Sequence, residues 1–326
     1  MLFSRLSLDE RYLVQYSIRY QIDKKMLTLL KRLITMLFCL VLCESLATQM
    51  AWSFALGGIN ALNATFYNRI SYGDSAFQFG DLRLPQGHGP FPVVILVHGG
   101  CWISNFGNVQ SMAPLAEALR AQGIATWNIE YRSIDNKGGG WPGTFQDVAQ
   151  AVDFLRKIAP KYSLDLTRVV AVGYSAGGHL AIWLAARHKL PANSQLYTPQ
   201  PLALKGVVAL GGVPDLKAFR SRGMKTCLTD IVGDLLGSSP ELIAKHYNEA
   251  SPKELLPLGV PQILIYGTED PAVPAEFGQA YTNFALMKGD TVKLILIKHA
   301  AHHEYILPNS ITWPAVKTAI LSLLHK

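Results

Sequence analysis

The segment 168–188 constrains the fold of this chain more than any other stretch of its sequence. Residues 169–172 are apolar and mostly β-branched, which is typical of a strand buried on both faces of a parallel sheet, and residues 179–186 favour a helix. Between them lies Gly-Tyr-Ser-Ala-Gly, with Ser175 at its centre. Glycine two residues before and after the serine removes side chains that would crowd a sharp turn. The pattern predicts a strand, a strained turn and a helix, with the Ser175 hydroxyl raised above the sheet at the positive end of that helix.

A phosphate-binding turn is the main alternative for a glycine-rich connection of this kind. The segment lacks the Gly-x-x-x-x-Gly-Lys-Ser/Thr pattern and the glycine spacing of a dinucleotide-binding turn. We therefore interpret Ser175 as a candidate nucleophile.

The length and charge of the chain narrow its possible classes. It has 326 residues, of which 49% are hydrophobic, so it can bury one large core. α/β folds of this length are commonly a single domain, which is the organisation that we expect. The formal net charge is +7, but the basic residues are scattered, without the lysine and arginine stripe or interleaved aromatic residues that nucleic acid requires. We expect no nucleic-acid partner.

The amino-terminal residues 1–47 have the layout of a signal peptide. A second start at Met26 is followed by two basic residues and the apolar run 33–42. Small residues suit cleavage after Ala47, which would leave residues 48–326 as the mature domain. The apolar run is too short to span a bilayer comfortably. We therefore expect an exported protein, periplasmic or secreted, with no stable membrane span in its mature chain.

The cysteines fit this expectation of export. Cleavage would remove Cys39 and Cys43 and leave Cys101 and Cys227 as the one possible intramolecular disulfide in an oxidising compartment. Two buried thiols are the alternative, and the sequence leaves both interpretations open.

The rest of the chain alternates strand and helix patterns after an opening hairpin. The predicted hairpin strands are 63–72 and 77–84; the later strands are 93–97, 125–131, 169–172, 207–210, 262–266 and 292–297; the helices are 112–122, one from the candidate cap Thr144 to about 155, 179–186, 276–287 and 315–324. The alternation breaks at about 214–258, where prolines and glycines separate short helical pieces. We expect a cap insertion there that covers the serine and shapes the substrate pocket, with an ordinary surface loop as the alternative.

A glycine loop, His-Gly-Gly-Cys-Trp, follows the predicted strand 93–97. The carboxyl end of a parallel strand is where ligands bind in such sheets. Glycine lets bare backbone N–H groups approach an oxygen closely, so Gly99 and Gly100 are candidate oxyanion donors. His98 has the side chain of a base, but its place directly before the glycines favours a role in bracing the loop.

A serine nucleophile needs a base within hydrogen-bond reach and a carboxylate that orients the base. Two loops at strand carboxyl ends carry these residue types: Gly-Thr-Glu-Asp-Pro after strand 262–266, and His-Ala-Ala-His-His after strand 292–297. Both loops lie on the predicted sheet edge that carries Ser175. The resulting order of serine, aspartate and histidine is that of α/β-hydrolases.

Four motifs make about residues 63–324 resemble the α/β-hydrolase superfamily, in the branch of hormone-sensitive-lipase-like, feruloyl-esterase-like and kynurenine-formamidase-like enzymes. They are HGGCW at 98–102, GYSAGGHLA at 173–181, GTEDPAVP at 267–274 and HAAHHEYILP at 299–308. The resemblance implies an α/β-hydrolase fold, with a mostly parallel central sheet, helices on both faces and a small cap insertion. By motif register, it also implies Asp270 as the acid and His302 as the base.

The chain departs from the family pattern near the base and in the glycine loop. His299 stands where the family has a glycine and His303 where it has an aromatic residue, so three histidines compete, and His302 fits the register. The third glycine of the common HGGG loop is replaced by Cys101, which backbone donors tolerate provided that Cys101 is not forced to a positive φ.

Other side chains are weaker candidates. Glu269 neighbours Asp270 and is expected to point elsewhere, and Asp215 follows an earlier strand. His179, four residues after the serine on its helix, occupies a packing position. The three neighbouring histidines have no carboxylate cluster with them, so we expect neither a metal nor an organic cofactor.

The predicted chemistry is acyl transfer. Ser175 would attack a carbonyl carbon, His302 would take and return the proton, and Asp270 would orient His302. The candidate oxyanion donors are the backbone N–H groups of Gly99, Gly100 and Ala176.

These predictions favour an exported serine carboxylesterase acting on esters of modest size. An amide hydrolase, arylformamidase-like or prolyl-peptidase-like, is the second hypothesis, because the same triad hydrolyses both bonds. A catalytically silent binding protein with a hydrolase fold is the third, and the intact set of serine, aspartate and histidine argues against it. The expected partner is a small-molecule ester or amide, and the oligomeric state stays open.

Overall fold

The computed structural model of the protein describes residues 67–222, 227, 230–237 and 239–325. The predicted signal region 1–47 and its cleavage point lie outside the described residues. Within the described ranges, no helix is long and apolar enough to cross a bilayer.

An eight-stranded sheet runs through the described part of the chain, in the order β1-β2-β4-β3-β5-β6-β7-β8. The strands are β1 (Asn68–Ser71), β2 (Phe79–Arg83), β3 (Phe91–Val97), β4 (Ala125–Ile129), β5 (Leu164–Tyr174), β6 (Gly206–Leu210), β7 (Gln262–Gly267) and β8 (Val292–Ile297). β1 pairs antiparallel with β2, and β2 pairs antiparallel with β4. From β4 to β8 every neighbouring pair is parallel, so the carboxyl ends of these strands share one sheet edge.

Helices cover both faces of this sheet. They are α1 (Ala113–Arg120), α2 (Gly143–Asp153), α3 (Leu155–Tyr162), α4 (Ala176–Ala186), α5 (Leu216–Ser221), α6 (Ile231–Leu236), α7 (Pro240–Ala250), α8 (Ala275–Met287) and α9 (Trp313–Leu324). Successive strand residues point to opposite faces, so Val94 and Leu96 of β3 pack in one apolar cluster with α1 and α9. Val93 and Ile95 pack in a second cluster with α2, α3, α4 and α8. Because helices cover both faces of the sheet, the parallel strands have little contact with water, which explains why they consist largely of consecutive apolar residues.

The predicted opening hairpin is confirmed in its described part, with Asn68 opposite Leu82 and Ser71 opposite Phe79, while residues 63–66 of the predicted first strand lie outside the described residues. The predicted cap at Thr144 is wrong. α2 begins at Gly143, and Pro142 occupies the cap position. The Thr144 hydroxyl lies inside the helix, where it accepts a hydrogen bond from the Gly140 N–H at 3.0 Å and donates to the Arg132 carbonyl. The hydroxyl therefore links Gly140, just before α2, to the loop after β4.

The region predicted as an insertion, 214–258, carries α5, α6 and α7, and its described residues form no strand. Asp215 caps α5 by accepting a hydrogen bond from the Ala218 N–H, and Ser239 caps α7 by accepting one from the Leu242 N–H. Side-chain oxygens at these positions satisfy donors that a helix start leaves free. The break in the strand-helix alternation thus corresponds to consecutive short helices.

Candidate active site

Ser175 occupies the sharp turn between β5 and α4. Its φ is 54° and its ψ is −121°, a conformation that is strained for a residue with a side chain. A Cβ atom at Gly173 would lie 2.0 Å from the Gly177 carbonyl oxygen, and one at Gly177 would lie 2.1 Å from the Val97 carbonyl oxygen. The two flanking glycines are therefore required by space, as the sequence pattern predicts.

A chain of hydrogen bonds joins the serine, histidine and aspartate named from the sequence. The Ser175 hydroxyl oxygen lies 2.9 Å from Nε2 of His302, and Nδ1 of His302 lies 2.7 Å from Oδ2 of Asp270. Asp270 follows β7 and His302 follows β8, so the three residues meet at one sheet edge. An Nδ1–H that donates to the carboxylate leaves Nε2 as an acceptor for the serine proton.

The Asp270 carboxylate is fully buried and well supplied with donors. Its Oδ1 accepts the backbone N–H groups of Ala272 and Val273, each at 2.9 Å. Burial alone would raise the pKa of Asp270, but the histidine, the Val273 N–H and the Tyr305 hydroxyl outweigh burial and hold that pKa below its ordinary value. Asp270 is therefore a carboxylate at neutral pH, as an orienting partner must be.

The other histidines and acidic residues considered for the triad do not join its hydrogen bonds. His299 and Glu269 are both exposed and pair with each other, at 2.5 Å between Nδ1 and Oε1. His303 is also exposed. Asp215 caps α5, and its Oδ2 accepts a hydrogen bond from Nζ of Lys253 at 2.6 Å. The geometry thus separates these four side chains from the hydrogen-bonded set.

His179 is a buried packing residue, as its helix position indicates. Its Nε2 lies 2.9 Å from the Ala250 carbonyl oxygen at the end of α7. Burial lowers the pKa of His179 to about 4, although the bond to Ala250 opposes this change. A neutral imidazole therefore links α4 to α7 at neutral pH.

The predicted oxyanion residues lie in the glycine loop and at the start of α4. A Cβ atom at Gly99 would lie 2.9 Å from Cβ of Ser175, so the glycine loop packs directly against the turn. Gly100 has a φ of 106°, and a Cβ atom there would lie 2.5 Å from the backbone nitrogen of Gly107. Ala176 is the first residue of α4, where backbone N–H groups have no partner within the helix. Gly99 and Ala176 thus lie next to Ser175, and Gly100 follows Gly99 in the same loop.

A family model, BD-FAE, matches residues 81–283, which include Ser175, Asp270 and the glycine loop. The match covers more than half of the chain. The chain belongs to the BD-FAE family.

Curated relatives of this BD-FAE protein are named as esterases. Esterase LipC of Mycobacterium tuberculosis is 27% identical over 268 residues, covering 78% of this chain and 64% of the relative. The probable isoprenylcysteine alpha-carbonyl methylesterase ICMEL1 of Arabidopsis thaliana is 27% identical over 249 residues, covering 73% of this chain and 51% of the relative. The chain therefore spans about half to two thirds of the length of these curated relatives.

Solved structures confirm the predicted α/β-hydrolase fold. A truncated carbohydrate esterase from gut microbiota superposes with a TM-score of 0.66 at 20% identity, covering 81% of this chain and 99% of that one. Esterase B of Lactobacillus rhamnosis superposes with a TM-score of 0.68 at 20% identity, covering 85% of this chain and 92% of that one. At this identity the likeness concerns the fold.

The glycine loop of this BD-FAE protein is supported through His98 by Glu130, a residue that the sequence patterns did not indicate. Nε2 of His98 lies 2.7 Å from Oε1 of Glu130, and Nδ1 lies 2.8 Å from the Gly99 carbonyl oxygen. Oε2 of Glu130 accepts the Val109 N–H at 2.9 Å, and the Tyr131 ring stacks on the His98 ring at 4.3 Å. The expected bracing position of His98 is thus observed. Glu130 directly follows β4, and a carboxylate at that strand end was the available signal.

The glycine loop is also joined to the segment after α5. Cys101 and Cys227 form a disulfide, with their Cα atoms 5.8 Å apart, which decides between the two interpretations left open by the sequence. Cys101 has a φ of 52°, so the condition under which it was expected to replace glycine without strain is not met. The glycine loop is thus cross-linked through a residue in a left-handed conformation.

Tyr305 is a second residue that the sequence analysis did not single out. Its hydroxyl donates to Oδ2 of Asp270 at 2.8 Å, the same oxygen that accepts the His302 N–H. One tyrosine among many in a sequence gives no signal for this contact, because it depends on the geometry of two separate loops.

Proposed function

We propose that this protein is a serine carboxylesterase that hydrolyses carboxylic esters through an acyl-enzyme intermediate on Ser175. The observation that carries the proposal is the continuous hydrogen-bonded path from the Ser175 hydroxyl through His302 to the Asp270 carboxylate. Such a path activates a serine, which is otherwise a poor nucleophile at neutral pH. The esterase names of the curated relatives support an ester as the substrate.

In the proposed mechanism, the Ser175 oxygen attacks the ester carbonyl carbon while Nε2 of His302 takes the hydroxyl proton. The carbonyl oxygen becomes an oxyanion, which preorganised backbone N–H groups stabilise. The donors that we propose are those of Gly99, Gly100 and Ala176. His302 then protonates the leaving alcohol, and a water molecule, deprotonated by the same imidazole, releases the acid and restores Ser175.

We further propose that the protein is exported. The signal-like layout of residues 1–47 supports export, and so does the disulfide between Cys101 and Cys227, since disulfides persist mainly in oxidising compartments. Amino-terminal sequencing of the protein recovered outside the cytoplasm is expected to begin at residue 48.

The activity is tested with p-nitrophenyl esters of increasing acyl length and a fluorophosphonate probe. The wild-type protein is expected to hydrolyse the esters and to become labelled on Ser175. Ser175→Ala is expected to lose both labelling and at least about a thousandfold in kcat, because it removes the nucleophile. Ester hydrolysis that survives this substitution at the wild-type rate would overturn the proposal.

Two further outcomes separate the alternative functions. Faster turnover of N-formylkynurenine or of proline-containing peptides than of any ester would identify an amide hydrolase. A folded protein with neither turnover nor labelling would indicate a catalytically silent member of the fold. His303→Ala is the matched control, because His303 neighbours the proposed base but is exposed, and its substitution is expected to leave labelling unchanged.

A further inference from the structure

Tyr305 is buried and contacts the Asp270 carboxylate of the proposed triad. The side chain is 1% exposed and belongs to the short helical turn His302–Ile306 that also carries the proposed base. Its hydroxyl makes two hydrogen bonds, one to Oδ2 of Asp270 at 2.8 Å and one with the Gly267 N–H at 2.6 Å. The hydroxyl therefore connects the end of β7 to the carboxylate three residues later.

The direction of these two bonds is fixed by chemistry. A backbone N–H can only donate, so the Gly267 N–H occupies a lone pair of the Tyr305 oxygen and leaves the hydroxyl proton for Asp270. Burial and the charge of Asp270 raise the pKa of Tyr305 well beyond the neutral range, so the hydroxyl keeps that proton. Oδ2 of Asp270 thus accepts two hydrogen bonds, from Tyr305 and from His302.

The backbone opposite Tyr305 leaves room for this arrangement. Gly211, at the end of β6, has a φ of 53°. A Cβ atom there would lie 2.6 Å from Cε2 of Tyr305, 3.2 Å from Oδ2 of Asp270 and 3.3 Å from Cε1 of His302. A glycine is thus required where the three side chains converge.

We propose that Tyr305 is a positioning residue whose hydroxyl holds Oδ2 of Asp270 against Nδ1 of His302. The inference rests on the proposed hydrolase function of Ser175. Without the hydroxyl, Oδ2 loses one of its two donors, and the carboxylate is held only through Oδ1 and through the histidine that it is meant to orient. Tyr305 then acts through Asp270 and does not face the substrate.

The two tyrosines nearest Asp270, besides Tyr305, keep their protons near neutral pH. Burial and the charge of Asp270 raise the pKa of Tyr174, at the end of β5, and of Tyr266, in β7. Glu269 pairs with the exposed His299. The Glu304 carboxylate, on the same turn as Tyr305, accepts the Ala301 N–H at 2.6 Å. Neither group bonds to Asp270, and both are unchanged in a Tyr305 variant. A difference in the acid side of the activity profile between wild type and such a variant is therefore assigned to the coupled pair of Asp270 and His302.

Tyr305→Phe is expected to lower kcat about tenfold with little change in KM, because it disturbs the orientation of the base and leaves the substrate site intact. A donor to the carboxylate stabilises its charged form, so removing it raises the pKa of Asp270 and leaves more of its negative charge to stabilise a protonated His302. The acid limb of kcat/KM is expected to move to higher pH by about 0.5 to 1 unit. A merely structural role would scale the rate equally at every pH and leave the limb in place.

Tyr281→Phe is the matched control. The Tyr281 hydroxyl, on α8, is also buried, but it donates to Oε1 of Gln262 at 2.7 Å and not to a residue of the proposed triad. Its loss is expected to reduce stability without moving the acid limb. Equal shifts in both variants would overturn the proposal.

A double-mutant cycle tests whether Tyr305 acts through Asp270. Once Asp270→Asn has removed the carboxylate, adding Tyr305→Phe is expected to lower kcat by less than about twofold. Additive losses would show that the tyrosine acts independently of Asp270 and would overturn the proposal.

A second variant covers the case in which Tyr305→Phe does not fold. Replacement of Tyr305 by p-aminophenylalanine keeps the ring size and an N–H donor for Asp270, and is expected to restore the wild-type position of the acid limb. p-Fluorophenylalanine keeps the size without a donor and is expected to shift the limb upward as phenylalanine does. Identical limbs for these two variants would contradict the proposal.

The pH dependence is also measured as the rate of fluorophosphonate labelling of Ser175, which needs no ester substrate. A wild-type protein that is labelled but hydrolyses no ester would refute the carboxylesterase proposal while leaving the Tyr305 test readable. Ester hydrolysis with an unmoved limb in Tyr305→Phe would refute the role of Tyr305 alone.

Discussion

At the scale of single residues, the site depends on backbone conformations that most side chains resist. Ser175, with a φ of 54°, and Cys101, with a φ of 52°, both lie in the left-handed region. Such conformations persist only where the surroundings enforce them, and they concentrate at functional sites. Here the serine lies between glycines whose positions have no room for a Cβ atom, and the cysteine is part of a disulfide. Three of the five described non-glycine residues with a positive φ, Ser175, Cys101 and Trp102, therefore belong to the proposed nucleophile and the glycine loop.

Gly211→Ala tests how tightly this packing constrains the proposed triad. The new Cβ atom would press on Tyr305 at 2.6 Å, and the φ of 53° is unfavourable for alanine. We expect a loss of about 1–3 kcal/mol in unfolding free energy and a fall in kcat of about tenfold or more. Urea denaturation and ester kinetics measure the two effects.

Gly259→Ala is the control, because Gly259 has a φ of 71° but nothing within 4 Å of an added Cβ atom. It is expected to show the backbone cost alone, with unchanged kcat. Equal kcat values for the two variants would mean that crowding at Gly211 does not disturb the arrangement of the triad side chains.

At the scale of elements, the carboxyl ends of adjacent parallel strands are joined by buried polar contacts. His98 follows β3 and Glu130 follows β4, and their contact at 2.7 Å is buried on both sides. Burial alone would raise the pKa of Glu130, but His98 and the backbone N–H groups of Val109 and Tyr131 lower it below its ordinary value. The ionised glutamate is therefore part of the fold that supports the glycine loop.

This lowered pKa predicts a specific loss of stability in acid. A carboxyl whose pKa is lower in the folded than in the unfolded state stabilises the fold above its ordinary pKa, and that contribution is lost as the pH falls through the folded value. The unfolding free energy of the wild-type protein is therefore expected to decrease as the pH is lowered below about 4.5.

Glu130→Gln is expected to be less stable than the wild type at pH 7 and to lose less stability on acidification. Urea midpoints between pH 3 and pH 7 measure the difference in slope. Glu117→Gln, which removes a half-exposed carboxylate on α1, serves as the control. An unchanged acid slope in Glu130→Gln would refute the assigned role of Glu130.

Hydrophobic periodicity and glycine spacing predicted most elements of the sheet and the turn at Ser175, whereas Asp270 and His302 were identified by their register in the motifs of the resembling family. The boundaries were less predictable. β5 begins at Leu164, five residues before the apolar run at Val169, because its polar first half pairs with Phe91 and Pro92. α4 begins at Ala176 despite two glycines in its first turn, since complete burial overrides their low helix propensity.

The side chains that support the site, Glu130 and Tyr305, could not be predicted either, and the physical reason differs from the one that applies to the element boundaries. Glu130 and Tyr305 act through contacts with residues 32 and 35 positions away in the sequence. No local pattern encodes such contacts, because they arise only when separate strand ends meet. The main residues of a site on a sheet edge can therefore be read from motifs, whereas their supports require coordinates.

At the scale of the whole molecule, the disulfide connects the glycine loop to a segment 126 residues later. A cross-link over so long a segment restricts the unfolded chain, and disulfides typically stabilise by about 2–4 kcal/mol. Cys227→Ser is expected to lose stability in this range and to lower kcat, because Cys101 adjoins the proposed oxyanion donor Gly100. Wild-type protein in reductant should match the variant in urea midpoint, whereas reductant should leave the variant unchanged. Equal midpoints for oxidised wild type and Cys227→Ser would mean that the bond adds no net stability, and equal kcat values would mean that the glycine loop keeps its conformation without it.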